Sequence, residues 1–379
     1  MDTIPADLLE AIADEIPDYA SLKAFSLTGS SFRAPSQRIL LRTKKLKIPA
    51  VSAEKILDFL EESPHVAGYV RALELTLLPT LAALPSLTYT EEVLGKFKNM
   101  AHLTIINPYR CRWVDGSGMS LIILDFIRRQ TLQSLHLSSF DQLPANLFPF
   151  FLSSAPTVTL LKVSAETDSS RLGDDVTIPV LSKVESLALY YTADLGEVLL
   201  SPRCSPHLQN LRRFWGPLGF QFTRDIIGAS SNTLQEICFD GIDIGISPPI
   251  SPFPLPDLPS LRFLKVVIRP GERDTQWLVE MICSMLKVAV ESVYVLFLAR
   301  YASFVLSDRT MDTLNEALRG RVHLPWLRWG IYYKAEGDEL LDNFRAAVER
   351  GIPRAHSVGR LSVERVSSGE ISYWPSGIL

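Results

Sequence analysis

Apolar residues fall into two different rhythms along this chain. Over the first 42 residues they recur at helical spacing: Leu8, Leu9, Ile12 and Ile16, then Leu22, Phe25 and Leu27, then Ile39, Leu40 and Leu41. Such spacing puts Leu8, Leu9, Ile12 and Ile16 on one face of a helix. Pro5 falls in the first turn, where a missing N–H costs nothing. Pro17 and Asp18 separate this helix from the next, with Asp18 as its cap. Gly29 suits the left-handed residue that closes the second helix, and a third runs from about Phe32 to Arg42. Units this short rarely hold a core alone. The spacing therefore predicts apolar surface that is offered to a partner.

From residue 70 the rhythm changes to apolar, two residues, apolar, one residue, apolar. It stands as Val70-x-x-Leu73-x-Leu75, Met100-x-x-Leu103-x-Ile105, Leu132-x-x-Leu135-x-Leu137, Val158-x-x-Leu161-x-Val163 and Val184-x-x-Leu187-x-Leu189. It continues through Leu234-x-x-Ile237-x-Phe239, Leu261-x-x-Leu264-x-Val266, Val290-x-x-Val293-x-Val295 and Leu324-x-x-Leu327-x-Trp329. A weaker copy, Leu208-x-x-Leu211, has Arg213 at its third apolar place and Phe214 one residue late. Successive starts lie between 24 residues (Val184 to Leu208) and 34 residues (Val290 to Leu324) apart. Helical patterns at 56–60, 119–127, 277–286 and 311–318 mostly separate the copies. A strand followed by a helix, repeated at this period, buries its face by stacking on its neighbours, as leucine-rich repeats do. An α/β domain of another parallel kind fits the same alternation.

The ninth position of each copy holds Leu78, Pro108, Phe140, Glu166 and Thr192, then Gly216, Ile242, Arg269, Leu298 and Tyr332. No asparagine ladder runs through the series, so the spacing predicts an irregular solenoid with unequal loops. Two segments read as insertions: 77–90, and the proline-rich 247–259, which favours extended polyproline backbone. A helix over 338–350 and a strand over 361–366 would cap the end. The expected organisation is a helical motif at 1–45, a linker helix at 46–69 and the repeat domain at 70–379.

Chemistry is conspicuous by its scatter. The six histidines and four cysteines are far apart, with no H-x-x-x-H, no C-x-x-C and no carboxylate at metal-ligand spacing. There is no G-x-S-x-G elbow and no phosphate-binding loop. The chain is expected to be no enzyme, with no catalytic residue, metal or cofactor. A net charge of -4 speaks against binding nucleic acid or an anionic membrane. The basic residues Arg42, Lys44, Lys45 and Lys47 read as a solvated linker. The start carries no basic and apolar leader pattern, which fits an intracellular, cytoplasmic or nuclear, protein.

Ile4-Pro5-Ala6-Asp7-Leu8-Leu9-Glu10-Ala11-Ile12 resembles the opening of the F-box, Leu-Pro-x-Glu-Leu-Leu-x-x-Ile. Leu22, Ser26, Leu27, Phe32 and Arg33 resemble its second half, in the versions common in fungal proteins, with Phe32 where Trp is usual. The resemblance covers about the first 45 residues. It implies a fold of three N-terminal helices followed by degenerate leucine-rich repeats. It also implies docking of a Skp-family adaptor, and through it a cullin scaffold, by Ile4, Pro5, Leu8, Leu9, Ile12, Leu22, Leu27 and Phe32. The repeat surface would then select a protein substrate for ubiquitination. The other interpretation is a repeat scaffold, unconnected with ubiquitin, whose N-terminal helices cap the stack and bury Ile4, Pro5, Leu8 and Ile12.

Alternation of side chains along each strand sets which residues would face a substrate. The candidates are His136, Tyr190, Tyr191, Arg212, Phe214, Trp215, Asp240 and Arg328, a set rich in the Tyr, Trp and Arg typical of interface hot spots. Phe214 and Trp215 fit equally a distorted core of the sixth copy.

Overall fold

The structure is a computed structural model. It describes residues 4–48, 53–78, 84–109, 113, 118–166, 184–190, 192, 195–217, 220–240, 255–268, 290–299, 308–319, 323–334 and 338–367. The chain divides into two compact units, Met1–Pro179 and Val180–Leu379. Each is mixed α/β, and the described residues form fourteen α-helices and twelve parallel main-sheet strands.

The first unit opens with three helices, α1 (Ala6–Asp14), α2 (Tyr19–Leu27) and α3 (Ser30–Leu41). Pro5 is the N-cap of α1, one position before the expected first turn. Asp18 caps α2 by accepting the Ser21 N–H at 2.8 Å, as its sequence position predicts. Gly29 differs from expectation. Its backbone is extended (φ -179°, ψ 161°), it is the N-cap of α3, and a Cβ there would stand 3.3 Å from the Phe32 ring.

Strands β1 (Thr43–Ile48), β2 (Ala72–Leu77), β3 (His102–Ile106), β4 (Ser134–Ser138) and β6 (Thr157–Leu161) follow in parallel register and sequence order. A small side pair joins β5 (Leu143–Pro144) to β7 (Ala165–Glu166). Helices α4 (Ala53–Glu62), α5 (Pro64–Tyr69), α6 (Leu84–Lys96), α7 (Gly118–Arg129) and α8 (Phe148–Ser154) lie between the strands in sequence. The expected linker is therefore the first repeat. Arg42 starts it and Lys44, Lys45 and Lys47 belong to β1, an edge strand whose charges discourage pairing with another chain. The expected insertion at 77–90 is replaced from Leu84 onward by α6.

In the second unit the order is β8 (Ser186–Tyr190), β9 (Arg213–Pro217), β10 (Glu236–Asp240), β11 (Phe263–Ile268), β12 (Ser292–Leu298), β13 (Trp326–Tyr332) and β14 (Leu361–Arg365). Its helices are α9 (Gly196–Leu199), α10 (Ser205–Leu208), α11 (Gln221–Ala229), α12 (Asp308–Arg319), α13 (Glu339–Gly351) and α14 (Pro353–Ser357). In α12, Met311, Leu314 and Leu318 are buried, and in α13 Leu341, Phe344 and Val348, each set at spacings of three and four. Phe344 closes on Phe297 and Trp329, which stack at 5.7 Å. The expected helix at 277–286 and most of the proline-rich segment fall outside the described residues. The capping strand at 361–366 is β14.

A main-chain device repeats between neighbours. The carbonyl just before a strand accepts two N–H groups from the next repeat: Arg42 from Arg71 and Ala72, Arg71 from Ala101 and His102, Glu185 from Arg212 and Arg213, and Arg212 from Gln235 and Glu236. Beyond it, burial alternates along strands such as β2 and β3, whereas β8 is buried throughout and β12 is buried from Val293 to Phe297. Leu73, Leu103 and Leu135 are buried in register, as are Leu187, Phe214, Ile237, Leu264, Val293 and Leu327.

This register corrects two copies of the sequence pattern, each displaced by three residues. Val158 aligns with Leu135, so the fourth copy is Ala155-x-x-Val158-x-Leu160. Phe214 aligns with Leu187 and Ile237, so the sixth is Leu211-x-x-Phe214-x-Gly216. Gly216 leaves its core place open to the Phe214 ring, whose Cζ would lie 2.5 Å from a Cβ there.

Candidate functional site

Two surfaces carry the sequence-derived candidates. The first is the N-terminal bundle. Helix periodicity turns Leu9 and Ala13 inward, at 4% and 0% exposure, and leaves Ile4, Leu8 and Ile12 as a stripe at 48%, 52% and 44%. Pro5 is exposed beside it. On α2, Leu22 is buried while Leu27 is 75% exposed and Tyr19 also faces solvent. Phe32 is half-buried, its ring 4.6 Å from that of Phe25. Of the eight expected adaptor contacts, Leu9 and Leu22 are thus the bundle's own core, and Ile4, Pro5, Leu8, Ile12 and Leu27 face outward. Both α1 and α2 pack on α3, and α3 packs on α5. Arg38 ties these together, pairing with Glu10 of α1 and standing 5.8 Å from the centre of the Tyr69 ring of α5.

The second surface is the face of the strands opposite the buried leucines, in the second unit. Successive strands align Ala188, Trp215, Cys238, Lys265, Tyr294, Arg328 and Ser362 in one row across β8 to β14. The Lys265 ammonium stands 5.3 Å from the ring centres of both Trp215 and Tyr294. The Arg328 guanidinium lies 4.9 Å from the Tyr294 ring centre and pairs with Glu364 at 2.5 Å. Tyr190 adds its ring 5.5 Å from Trp215. Lys265 reaches past a strand to Trp215 because the intervening side chain is the small Cys238. Gly330 makes room for Tyr294: a Cβ would fall 2.5 Å from its hydroxyl. Cation–π contacts of this kind are worth about 0.5–1 kcal/mol each where exposed.

The structure therefore joins Tyr190, Trp215 and Arg328 of the expected substrate set in one row system. Arg212 is exposed just before β9, with its carbonyl in the main-chain ladder. Phe214 is corrected outright: at 2% exposure it is core, while Trp215 lies on the opposite face of the strand and, like Tyr190, Cys238 and Tyr294 beside it, is itself buried. Tyr191 lies outside the described residues, and of Asp240 only the backbone is described. Threading the sequence pattern also puts Lys265 and Tyr294 on this face beside Arg328, and the structure adds that they share one ring system. Threading misses Phe263 and Trp326, which occupy the row of Ser186 and Glu236, two residues before the Lys265 row. Strand alternation alone would have found them.

His136, the remaining candidate, is in the first unit. There the outward row reads Lys45, Glu74, Thr104, His136 and Thr159. Glu74 pairs with Lys45 at 2.8 Å. Burial holds His136 below its ordinary pKa, and the Glu74 charge opposes that shift. His102 is lowered by burial and then by the Arg42 charge, and its Nδ1 lies 2.9 Å from Ser134 Oγ. A Ser–His contact alone does not make a nucleophile, because an orienting third group is needed. Among the described residues no carboxylate meets the His102 ring, and no cluster of three metal-ligating side chains occurs. Burial pushes the Cys204 thiol up to about 11, away from reactivity. Among the described residues no helix is long and apolar enough to cross a membrane.

A comparison with protein-family models and with proteins of curated function finds no match to this chain.

Proposed function

We propose that the protein is a non-catalytic substrate receptor of a cullin-type ubiquitin ligase. In this reading the N-terminal bundle docks a Skp-family adaptor, while an irregular leucine-rich-repeat solenoid holds the protein to be modified. The observation that carries the reading is the exposed stripe of Ile4, Leu8 and Ile12, with Pro5 and Leu27, on a bundle fixed to the repeats through α3. Burying the exposed half of three such side chains against a partner is worth a few kcal/mol, about half of the 1.5–3 kcal/mol of a full burial each. The resemblance to the F-box opening lies on those same residues. Capture of a substrate beside the ubiquitin-carrying enzyme would act by raising its effective concentration, and the compartment would be cytoplasm or nucleus. A scaffold capped by its own N-terminus would cover these side chains, so their exposure favours the receptor.

Co-expression with a Skp-family adaptor tests the proposal. The intact chain should co-purify with the adaptor, and an Ile4→Asp/Leu8→Asp variant should not, because a buried carboxylate without a partner is strongly penalised. Both positions are solvent-exposed in the free chain, so the variant keeps its circular dichroism and melting behaviour. Failure of the intact chain to bind the adaptor at micromolar concentration would sink the proposal and leave a scaffold.

A further inference from the structure

Phe263 of β11, Ser292 of β12 and Trp326 of β13 are register partners on the outward face. The two aromatic side chains therefore flank a serine across two strand spacings, roughly 9–10 Å. That is the scale needed to seat one flat side chain between two rings at ordinary contact distances of about 3.5–4 Å on each side. Trp326 is 56% exposed, an unusual position for so large an apolar surface, and Phe263 and Ser292 are half-exposed.

Two residues further along the same strands stand Lys265, Tyr294 and Arg328. Both cations gather on the one Tyr294 ring. Arg328 is balanced by Glu364, whereas among the described residues no carboxylate pairs with Lys265. At the β9 end of the aromatic row acid and base offset one another, because Glu236, the register neighbour of Phe263, is itself partnered in register by Arg213; one residue before the row, Arg262 lies 4.0 Å from Glu291. The slot is thus aromatic at one row and net positive at the next.

We propose that this slot binds an extended protein segment carrying an aromatic residue and an acidic residue two positions apart. In an extended chain, side chains two residues apart share a face and lie about 6.6 Å from each other, which matches the step between the two rows. The aromatic side chain enters between Phe263 and Trp326 over Ser292, and the carboxylate meets Lys265. This names the chemistry of the recognised segment. It rests on reading the strand face as a recognition surface and is independent of whether the adaptor binds.

The test is to pan a random peptide library on the full-length chain and measure the recovered peptides, fluorescein-labelled, by anisotropy. Peptides with the aromatic-x-acidic or acidic-x-aromatic spacing should be enriched. Their affinity should fall about tenfold in Trp326→Ala and in Lys265→Gln, as at hot-spot positions, and should weaken as salt rises. Trp326 and Lys265 each reach solvent, and unchanged melting of both variants shows that any loss is local. Recovery of basic peptides, of peptides indifferent to Trp326→Ala, or of none above background would overturn the proposal. Adaptor co-purification is scored separately, so the two conclusions fail independently.

Discussion

At the scale of single residues, two kinds of position decide what the molecule tolerates. Glycines at close approaches are one kind. Gly330 has Tyr294 Oη and Val366 Cγ2 where its Cβ would go, at 2.5 and 2.7 Å. Gly330→Ala should destabilise the chain by about 1–3 kcal/mol, the usual cost of overpacking. The same change should tilt Tyr294 and weaken the peptide binding described above; urea unfolding and anisotropy read the two effects. An unchanged unfolding midpoint would show that Tyr294 is not held as described. Half-buried imidazoles are the other kind. His136 and His102 both have folded-state pKa values below the ordinary 6.5. The unfolded chain then takes the proton first, so their contribution is complete above about pH 6.5 and is lost as pH falls through the lower folded values. The urea midpoint should drop between about pH 7.5 and pH 5, and His136→Gln should shallow that dependence. An identical slope in the variant would remove His136 from the effect and leave it to His102 and His207, whose pKa values are also lowered by burial.

Among the elements, legibility in the sequence depended on whether every apolar place was filled by an apolar side chain. Where it was, as at Leu73 and Leu75 or Val293 and Val295, the strand was found in its true register. The pattern slipped where a neighbouring triplet satisfied it equally well: Val158, Leu161 and Val163 obey the spacing, although Val158 and Leu160 face the core. At β9 the core place is held by Gly216, and the missing volume comes from Phe214, a compensation invisible to a one-position rule. Strand β1 was lost because Lys44 stands at a core place, half-buried, with Nζ donating to the Leu40 carbonyl at 2.9 Å and its pKa lowered by burial. The bundle was legible as three helices, but not which side faced out. Periodicity grouped Leu8 with Leu9, and only packing on α3 separates them. The edge position of β1 yields a prediction. Lys45→Val/Lys47→Val should make the chain self-associate as concentration rises, because an edge without charge invites pairing. Size-exclusion chromatography checks it, and a variant that elutes as the parent does at every concentration would remove that role from the lysines.

For the whole molecule, strands pair with sequence neighbours, so each repeat is held from two sides except at an end. Hydrogen exchange should therefore be slowest in interior strands such as β3, and β11 or β12, and faster in β1 and β14. Equal protection throughout would mean that each unit opens only as a whole. The main-chain ladder that joins the repeats makes no demand on the side chain that carries it. Arg42, Arg71, Ala101, Gln133, Glu185, Arg212, Gln235, Arg262 and Glu291 all serve as acceptors through the carbonyl alone. A joint made of backbone leaves its letters free to drift. Descendants of such a chain could rewrite the outward row strand by strand, acquiring new targets while the architecture stands, and kinship among them would survive in coordinates long after it had faded from the text.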